Sequence, residues 1–242
     1  MENGVLYLVP TPIGNLKDIT LRALDTLKEV DIIACEDTRQ TVKLLNHYGI
    51  SKPLLSFYSY NQFNRIPQVV DELKSGKNMA LVSDSGTPGI SDPGFFLVKK
   101  SIEENIRVIS LPGPNAAITA LVASGLGTDG FIFLGFLKRK PGKMKKEMLK
   151  ASECGKTIVF YESPHRIRKT ISLCKEVFPK TAKVVLAREL TKKFEEYIRG
   201  SLEEVDLKLK DKEILGEFVV LISPENKDRQ PDDQEEKEDE EN

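Results

Sequence analysis

From residue 5 to residue 111, short and almost wholly apolar runs take turns with amphipathic stretches of helical period. The runs are 5–9, 31–35, 54–57, 79–83 (Met79-Ala80-Leu81-Val82-Ser83) and 107–111 (Arg107-Val108-Ile109-Ser110-Leu111); helical patterns lie at 20–29, 38–48, 61–75 and 93–105. A strand with one wet face alternates polar and apolar residues, and these do not, so both faces must be covered. Covered strands alternating with helices are the pattern of a mainly parallel sheet wrapped by its crossover helices. The expected class is α/β.

The second half keeps the alternation with a different flavour. A small-residue helix at 114–124 precedes strands at 131–136, 157–161, 183–187, 195–200 and 217–222, with helices at 142–153, 163–177 and 201–208. The runs Glu195 to Gly200 and Glu217 to Ile222 imply some antiparallel pairing, hence a mixed second sheet. A chain of 242 residues can build two compact domains. Pro112-Gly113-Pro114 interrupts the pattern, which places an N-terminal α/β domain at 1–112 and a C-terminal one at 113–224. Residues 225–242 carry ten acidic side chains against three basic ones and nothing apolar to bury, so this tail is expected to be disordered. Residues 1–224 then hold 33 basic and 27 acidic side chains, a surplus of +6 beneath a formal net charge of −1. Such a surplus accommodates a polyanionic partner, and equally a merely solvated surface.

Several helix starts carry capping signals. Asp37 has Gln40 at the third helical position, and Ser201 has Glu204 there. Asp92-Pro93 and Ser163-Pro164 set a side-chain oxygen before a proline at the first helical position.

Some classes drop out. No apolar run approaches the roughly 18–20 residues that span a bilayer, and the start lacks the basic segment of a signal peptide. Cys35, Cys154 and Cys174 form no CxxC pair, and with two histidines the chain is expected to hold no metal and no disulfide framework. A cytoplasmic location follows by default.

Turns at strand ends draw the functional reading. Val9-Pro10-Thr11-Pro12-Ile13-Gly14-Asn15 follows the first strand, where open parallel sheets receive ligands. It is not GxGxxG, and no GxxxxGK[ST] occurs anywhere, so ordinary NAD and P-loop readings lose their support; a plain chain reversal also fits. Ser83-Asp84-Ser85-Gly86-Thr87-Pro88-Gly89-Ile90-Ser91-Asp92-Pro93-Gly94 is longer than the 2–6 residues of an ordinary strand-to-helix connection. Its glycines let backbone approach a ligand closely. Pro112 to Ala117 leads into small residues that suit tight packing or a flat ligand.

Other candidates are charged. Tyr161-Glu162-Ser163-Pro164-His165-Arg166 puts two potential cations in a first helical turn, against the dipole, which fits a phosphate or an exposed surface. Arg188-Glu189 is a charged pair at a strand end, and His47 suits a helix C-terminus. Lys138 to Lys146 packs six basic side chains into nine residues, a strip for RNA or a solvated turn.

These turns, with Ala34-Cys35-Glu36-Asp37-Thr38-Arg39 and Glu162-Ser163-Pro164-His165-Arg166, resemble the tetrapyrrole-methylase-like (class III) methyltransferases over residues 4–222. Within that family the Ser83–Gly94 and Glu162–Arg166 strings resemble the bacterial branch that methylates the ribose 2′-oxygen of a cytidine in the 16S rRNA decoding centre. The resemblance implies two α/β domains, S-adenosyl-L-methionine in the cleft between them, a homodimer, and 16S rRNA or the small ribosomal subunit as partner. It implies cofactor contacts at Pro10, Pro12, Ile13 and Gly14; at Asp84, Ser85, Gly86, Thr87 and Ile90; at Asn115 and Ala116; and at Glu162, Leu186 and Ala187. Tetrapyrrole branches usually carry a glycine-rich first turn and Gly-Asp-Pro, where this chain has Pro10-Thr11-Pro12 and Ser83-Asp84-Ser85. A ribose hydroxyl is a poor nucleophile, so a base should assist. Asp37 or His165 is the expected proton acceptor, with Arg39 beside them. Arg39, Lys138, Arg139, Lys140, Lys143, Arg166 and Arg188 are expected to hold RNA phosphates. A small-molecule tetrapyrrole methylase and a non-catalytic RNA-binding or nucleotide-binding module remain the alternatives.

Overall fold

A computed structural model describes residues 2–210 and 214–224; the acidic stretch 225–242 lies outside the described residues. The first sheet holds β1 (Val5–Leu8), β2 (Ile32–Cys35), β3 (Leu54–Ser56), β4 (Met79–Val82) and β5 (Arg107–Ser110). Its order is β3-β2-β4-β1-β5, and every pairing is parallel. Helices α1 (Leu21–Glu29) and α2 (Thr38–His47) cover one face, where Leu27 and Leu45 meet Ile33, Cys35 and Val82. Helices α3 (Gln62–Lys74) and α4 (Phe95–Glu103) cover the other, where Leu73 and Leu97 meet Ala34, Met79 and Leu81. Successive residues of β2 and β4 therefore point into opposite cores, which is why these strands read as unbroken apolar runs.

The neighbours β1 and β4 form the switch point of this sheet. The chain leaves β1 for α1 on one face and leaves β4 for α4 on the other, so their loops part at the carboxyl ends. A crevice at such a point is where open α/β sheets take ligands.

The second sheet contains β6 (Phe131–Phe136), β7 (Thr157–Glu162), β8 (Lys183–Arg188), β9 (Glu196–Ser201) and β10 (Phe218–Ser223), ordered β6-β7-β10-β8-β9. Only β6 and β7 run parallel; the other pairings are antiparallel. The expected antiparallel character is present, but β9 and β10 do not pair with each other, because β8 lies between them. Helices α6 (Pro141–Ser152), α7 (Ile167–Val177) and α8 (Leu202–Lys210) cover one face through Met148, Ile171 and Val205. The other face takes α5 (Ala116–Val122), whose Ala117, Ala120 and Leu121 pack on Val159, Val185, Val219 and Leu221. Ile13, from the turn after β1, joins this cluster and ties the two halves together. The observed class is the expected α/β, with one parallel and one mixed sheet.

Two helix starts differ from expectation. Helix α4 begins at Phe95 with Gly94 as its cap, because Ser91 (φ 65°) and Gly94 (φ 150°) turn the chain before Pro93 can open a helix. Helix α7 begins at Ile167 after a hydrogen-bonded turn, and neither Ser163 nor Pro164 caps it; the Ser163 carbonyl accepts from the N–H groups of Arg166 and Ile167. Asp37 does cap α2, accepting from Arg39 N at 2.8 Å. Gln40 does not close the box; the Asp37 N–H donates to Asp84 Oδ1 at 3.0 Å instead. The Ser201–Glu204 box forms in full, at 2.8 and 3.3 Å. Among the described residues no helix is long and apolar enough to cross a membrane, and no group of three or more His, Cys, Asp or Glu side chains is arranged to hold a metal ion.

Candidate active site

The glycine- and proline-rich turns meet and bind one another. Thr11 and Gly86 exchange main-chain hydrogen bonds at 2.9 and 3.0 Å, an isolated antiparallel bridge beyond the ends of β1 and β4. Thr11 Oγ1 donates to the Ser83 carbonyl at 3.0 Å, and Thr87 Oγ1 donates to the Pro114 carbonyl at 3.0 Å. Gly113 lies so close to Pro10 that an added Cβ would stand 2.6 Å from the proline Cβ. Each contact satisfies a polar group or brings two turns into van der Waals contact, so the three turns form one wall.

Against that wall lies a cavity of about 390 Å³, within the range of small-molecule sites. Of the residues picked out by sequence, Ile13, Ser85, Gly86, Thr87 and Ile90 line it from the first half, Asn115 and Ala116 from the start of α5, and Glu162 and Ala187 from the second sheet. The remaining cofactor candidates lie outside the lining. Pro10 braces Gly113, and Gly14 backs onto Lys192 and Leu190. Pro12 is half-buried away from the lining, and Asp84 receives the Asp37 N–H. Leu186 faces the α7–α8 core, since alternation along β8 turns Val185 and Ala187 toward α5 and Leu186 away.

Sequence reasoning passed over Asp92, Phe136, Tyr161, Lys192 and Glu217 as site residues, and all five line the cavity. Tyr161 and Asp92 stood inside noted strings, and Phe136 packs edge-on against Tyr161, 5.4 Å between centroids. Lys192 and Glu217 are single residues in loops, with no local pattern to mark them.

Charges around the cavity are mostly committed. Glu162 is 2% exposed and accepts from Ser163 N at 2.8 Å and Thr170 Oγ1 at 2.6 Å, with Arg166 Nη2 at 3.4 Å. Arg166 also donates to the Leu137 carbonyl at 3.3 Å, and Arg188 pairs with Glu196 at 3.3 Å. Lys192 bridges Glu189 at 2.9 Å and Glu217 at 3.3 Å. Asp37 lies outside the lining, and its carboxylate is clamped by Arg39 at 2.7 Å, which with the neighbouring N–H groups holds it down at about 2. The Arg39 side chain is 86% exposed beyond that contact. His165 is exposed in the turn before α7 and also lies outside the lining.

A second group of carboxylates behaves oppositely. Burial first, and the like charges of Asp92, Asp84 and Asp37 next, push Glu36 up to about 6. Burial, opposed by a hydrogen bond from Ser83 and assisted by Asp84, raises Asp92 to about 6. Asp84 is raised chiefly by burial. Desolvation disfavours the charged form, and neighbouring negative charges add to it.

The basic strip begins at the cavity rim. Phe136 lines the cavity, and two residues on come Lys138, Arg139, Lys140 and Lys143, all exposed. Lys145 is paired with Glu176.

An α/β chain whose strand-end turns close a cavity between a parallel and a mixed sheet is the architecture of one methyltransferase class. The model of the Tetrapyrrole (Corrin/Porphyrin) Methylases matches residues 5–206, and the chain belongs to that family. A Bacillus subtilis (strain 168) protein named Ribosomal RNA small subunit methyltransferase I is 48% identical over 225 residues, which cover 93% of this chain and 77% of that one. Its namesake from Hydrogenobaculum sp. (strain Y04AAS1) is 50% identical over 223 residues, 91% of this chain and 96% of the other. In fold the chain is similar to a cobalt precorrin-4 methyltransferase of cobalamin biosynthesis, with TM-score 0.69 at 17% identity over 90% of this chain and 94% of that one. It is also similar to Thermus thermophilus uroporphyrin-III C-methyltransferase complexed with S-adenosylhomocysteine, with TM-score 0.63 at 17% identity over 90% and 97% of the two chains.

Proposed function

We propose that this chain is an S-adenosyl-L-methionine-dependent methyltransferase of small-subunit rRNA, and that its acceptor is the ribose 2′-oxygen of a cytidine in the 16S decoding centre. The observation that carries the reading is the juxtaposition of a ligand-sized cavity with a cationic strip at its rim. The names of the relatives support the rRNA substrate; the cytidine and its ribose oxygen rest on the family resemblance. The reading includes a homodimer working in the cytoplasm, where ribosomal subunits are found, and a division into halves at 112/113.

The lining fits the methyl donor. Ile13, Ala116, Ala187 and Val219 offer an apolar bed of small and medium side chains, and Ser85 and Asn115 offer polar atoms. When bound, the donor supplies an electrophilic methyl group on a positively charged sulfur. The protein then holds the acceptor oxygen in line with that carbon, and orientation of this kind is worth up to about 7–11 kcal/mol. Lys138, Arg139, Lys140 and Lys143, with exposed Arg39, hold phosphates and lead the strand to the rim. Arg166 and Arg188 serve chiefly to fix the wall, because their guanidinium groups are engaged by Glu162 and the Leu137 carbonyl, and by Glu196.

The test is to incubate the protein and methyl-labelled donor with small subunits from a strain lacking this enzyme, then map the label. Label on one cytidine ribose is the expected result. Label on a base, or uptake only by a porphyrin, would refute the reading.

A further inference from the structure

Four carboxylates line the cavity, and three are engaged. Glu162 is held by Ser163, Thr170 and Arg166; Glu189 by Lys192 and the Glu217 N–H; Glu217 by Lys192. Asp92 differs. Among the described residues it has no ion-pair partner, and its polar surroundings are the Ser83 hydroxyl, the carboxylates of Asp84 and Glu36, and Tyr161 facing it from β7.

Its place in the cavity also differs. Strand β6 shifts register between Phe133 and Phe136, and Gly135 in that shift (φ 61°) comes so near the loop that an added Cβ would stand 2.9 Å from Ser91 Oγ. The Ser91–Asp92 segment thus abuts the end of β6, which continues through Phe136 into the strip Lys138 to Lys143. The strip is thus joined in sequence to the part of the cavity wall that holds Asp92. Asp37 and His165 stand outside the lining.

We propose that Asp92 accepts the proton of the hydroxyl that becomes methylated, with Glu36 acting on it as a neighbouring like charge; the assignment rests on the proposed methyl transfer to a ribose. The hydroxyl oxygen forms its bond to the methyl carbon as the carbon–sulfur bond breaks, and that bonding pair stays on sulfur, which becomes a neutral thioether. The O–H proton passes to the Asp92 carboxylate, giving a carboxylic acid that releases it to solvent when product leaves. Asp92 is raised to about 6, burial being the main cause, so it is ionised at neutral pH yet more basic than an exposed carboxylate. A base with proton affinity near the working pH is the effective kind.

The experiment compares the wild type, Asp92→Asn and Glu36→Gln on small subunits, alongside calorimetry with S-adenosylhomocysteine and carboxyl-carbon NMR of the ligand-free protein. Asp92→Asn is expected to lower kcat by about 10²–10⁴-fold, to keep affinity for S-adenosylhomocysteine within about threefold, and to remove one carboxyl resonance titrating near 6. Wild-type kcat should rise with pH through about 6 and then level, and Glu36→Gln should move that rise to lower pH by taking away a like charge. Wild-type kcat in Asp92→Asn, or an unmoved rise in Glu36→Gln, overturns the assignment and leaves the rRNA reading standing. A wild-type enzyme that labels no rRNA overturns both.

Discussion

The main-chain N–H of Asp37 donates to Asp84 Oδ1 at 3.0 Å, so the residue that caps α2 is gripped by the loop after β4. Asp84→Ala removes the acceptor, whereas Asp84→Asn keeps an oxygen in place without the charge. The Asn variant should be more stable than the Ala variant by about 1 kcal/mol, the net worth of one such bond, in urea unfolding at pH 7.5. Equal midpoints would take this bond out of the account.

The raised carboxylates make a prediction about pH and stability. Glu36 and Asp92 bind protons in the folded state near 6, above an unfolded value near 4. Between those values the native chain holds more protons than the unfolded chain, so these two groups make stability rise as pH falls from about 7 toward 4.5. Asp37 works the other way. Its folded value of about 2 is depressed, so its contribution is lost as pH falls from about 4 through 2. Asp92→Asn should therefore raise Tm at pH 7.5, by about 2–4 °C for each 1 kcal/mol relieved, and flatten the rise between pH 7 and 5. A lower Tm in calorimetric scans at pH 7.5 would show that Asp92 is not carrying this penalty.

Gly113→Ala tests how tightly the turns are joined. The new Cβ would sit 2.6 Å from Pro10 Cβ and 2.9 Å from its Cγ, and a proline ring cannot rotate out of the way. Overpacking of this kind costs about 1–3 kcal/mol, and the displaced turn carries Ile13, so affinity for S-adenosylhomocysteine should fall with it. Thermal unfolding and calorimetry read both effects.

Replacing Lys138, Arg139, Lys140 and Lys143 together with alanine should weaken RNA binding and reduce its salt dependence. If each contacts one phosphate, the slope of log K against log salt should fall by about 3–4. Affinity for S-adenosylhomocysteine should stay, since none of the four lines the cavity. An unchanged slope would mean that the strip is only solvated surface.

The central strands were legible because burial on both faces imposes unbroken apolar runs, and Met79–Val82, buried throughout, falls within the run that marked it. The turns were legible through their density of glycine and proline. What escaped has a common cause. Asp92 and Ser163 looked like caps because capping is a local signal, but Asp92 is drawn toward Ser83 by the reversal at Ser91, and the Ser163 N–H is taken by Glu162 Oε1 at 2.8 Å. Lys192 and Glu217 lie 25 positions apart and reach the cavity only because β8 and β10 pair side by side. No window of sequence contains that meeting.

The bridge between Thr11 and Gly86 has a consequence for how such proteins diverge. Its two hydrogen bonds run through main chain, so they survive any substitution that keeps the local path of the two turns. The seat beside it is thus inherited with the fold, while the side chains around it are free to change. Over evolutionary time a new acceptor can be recruited by rewriting the opposite rim, leaving the shared wall untouched.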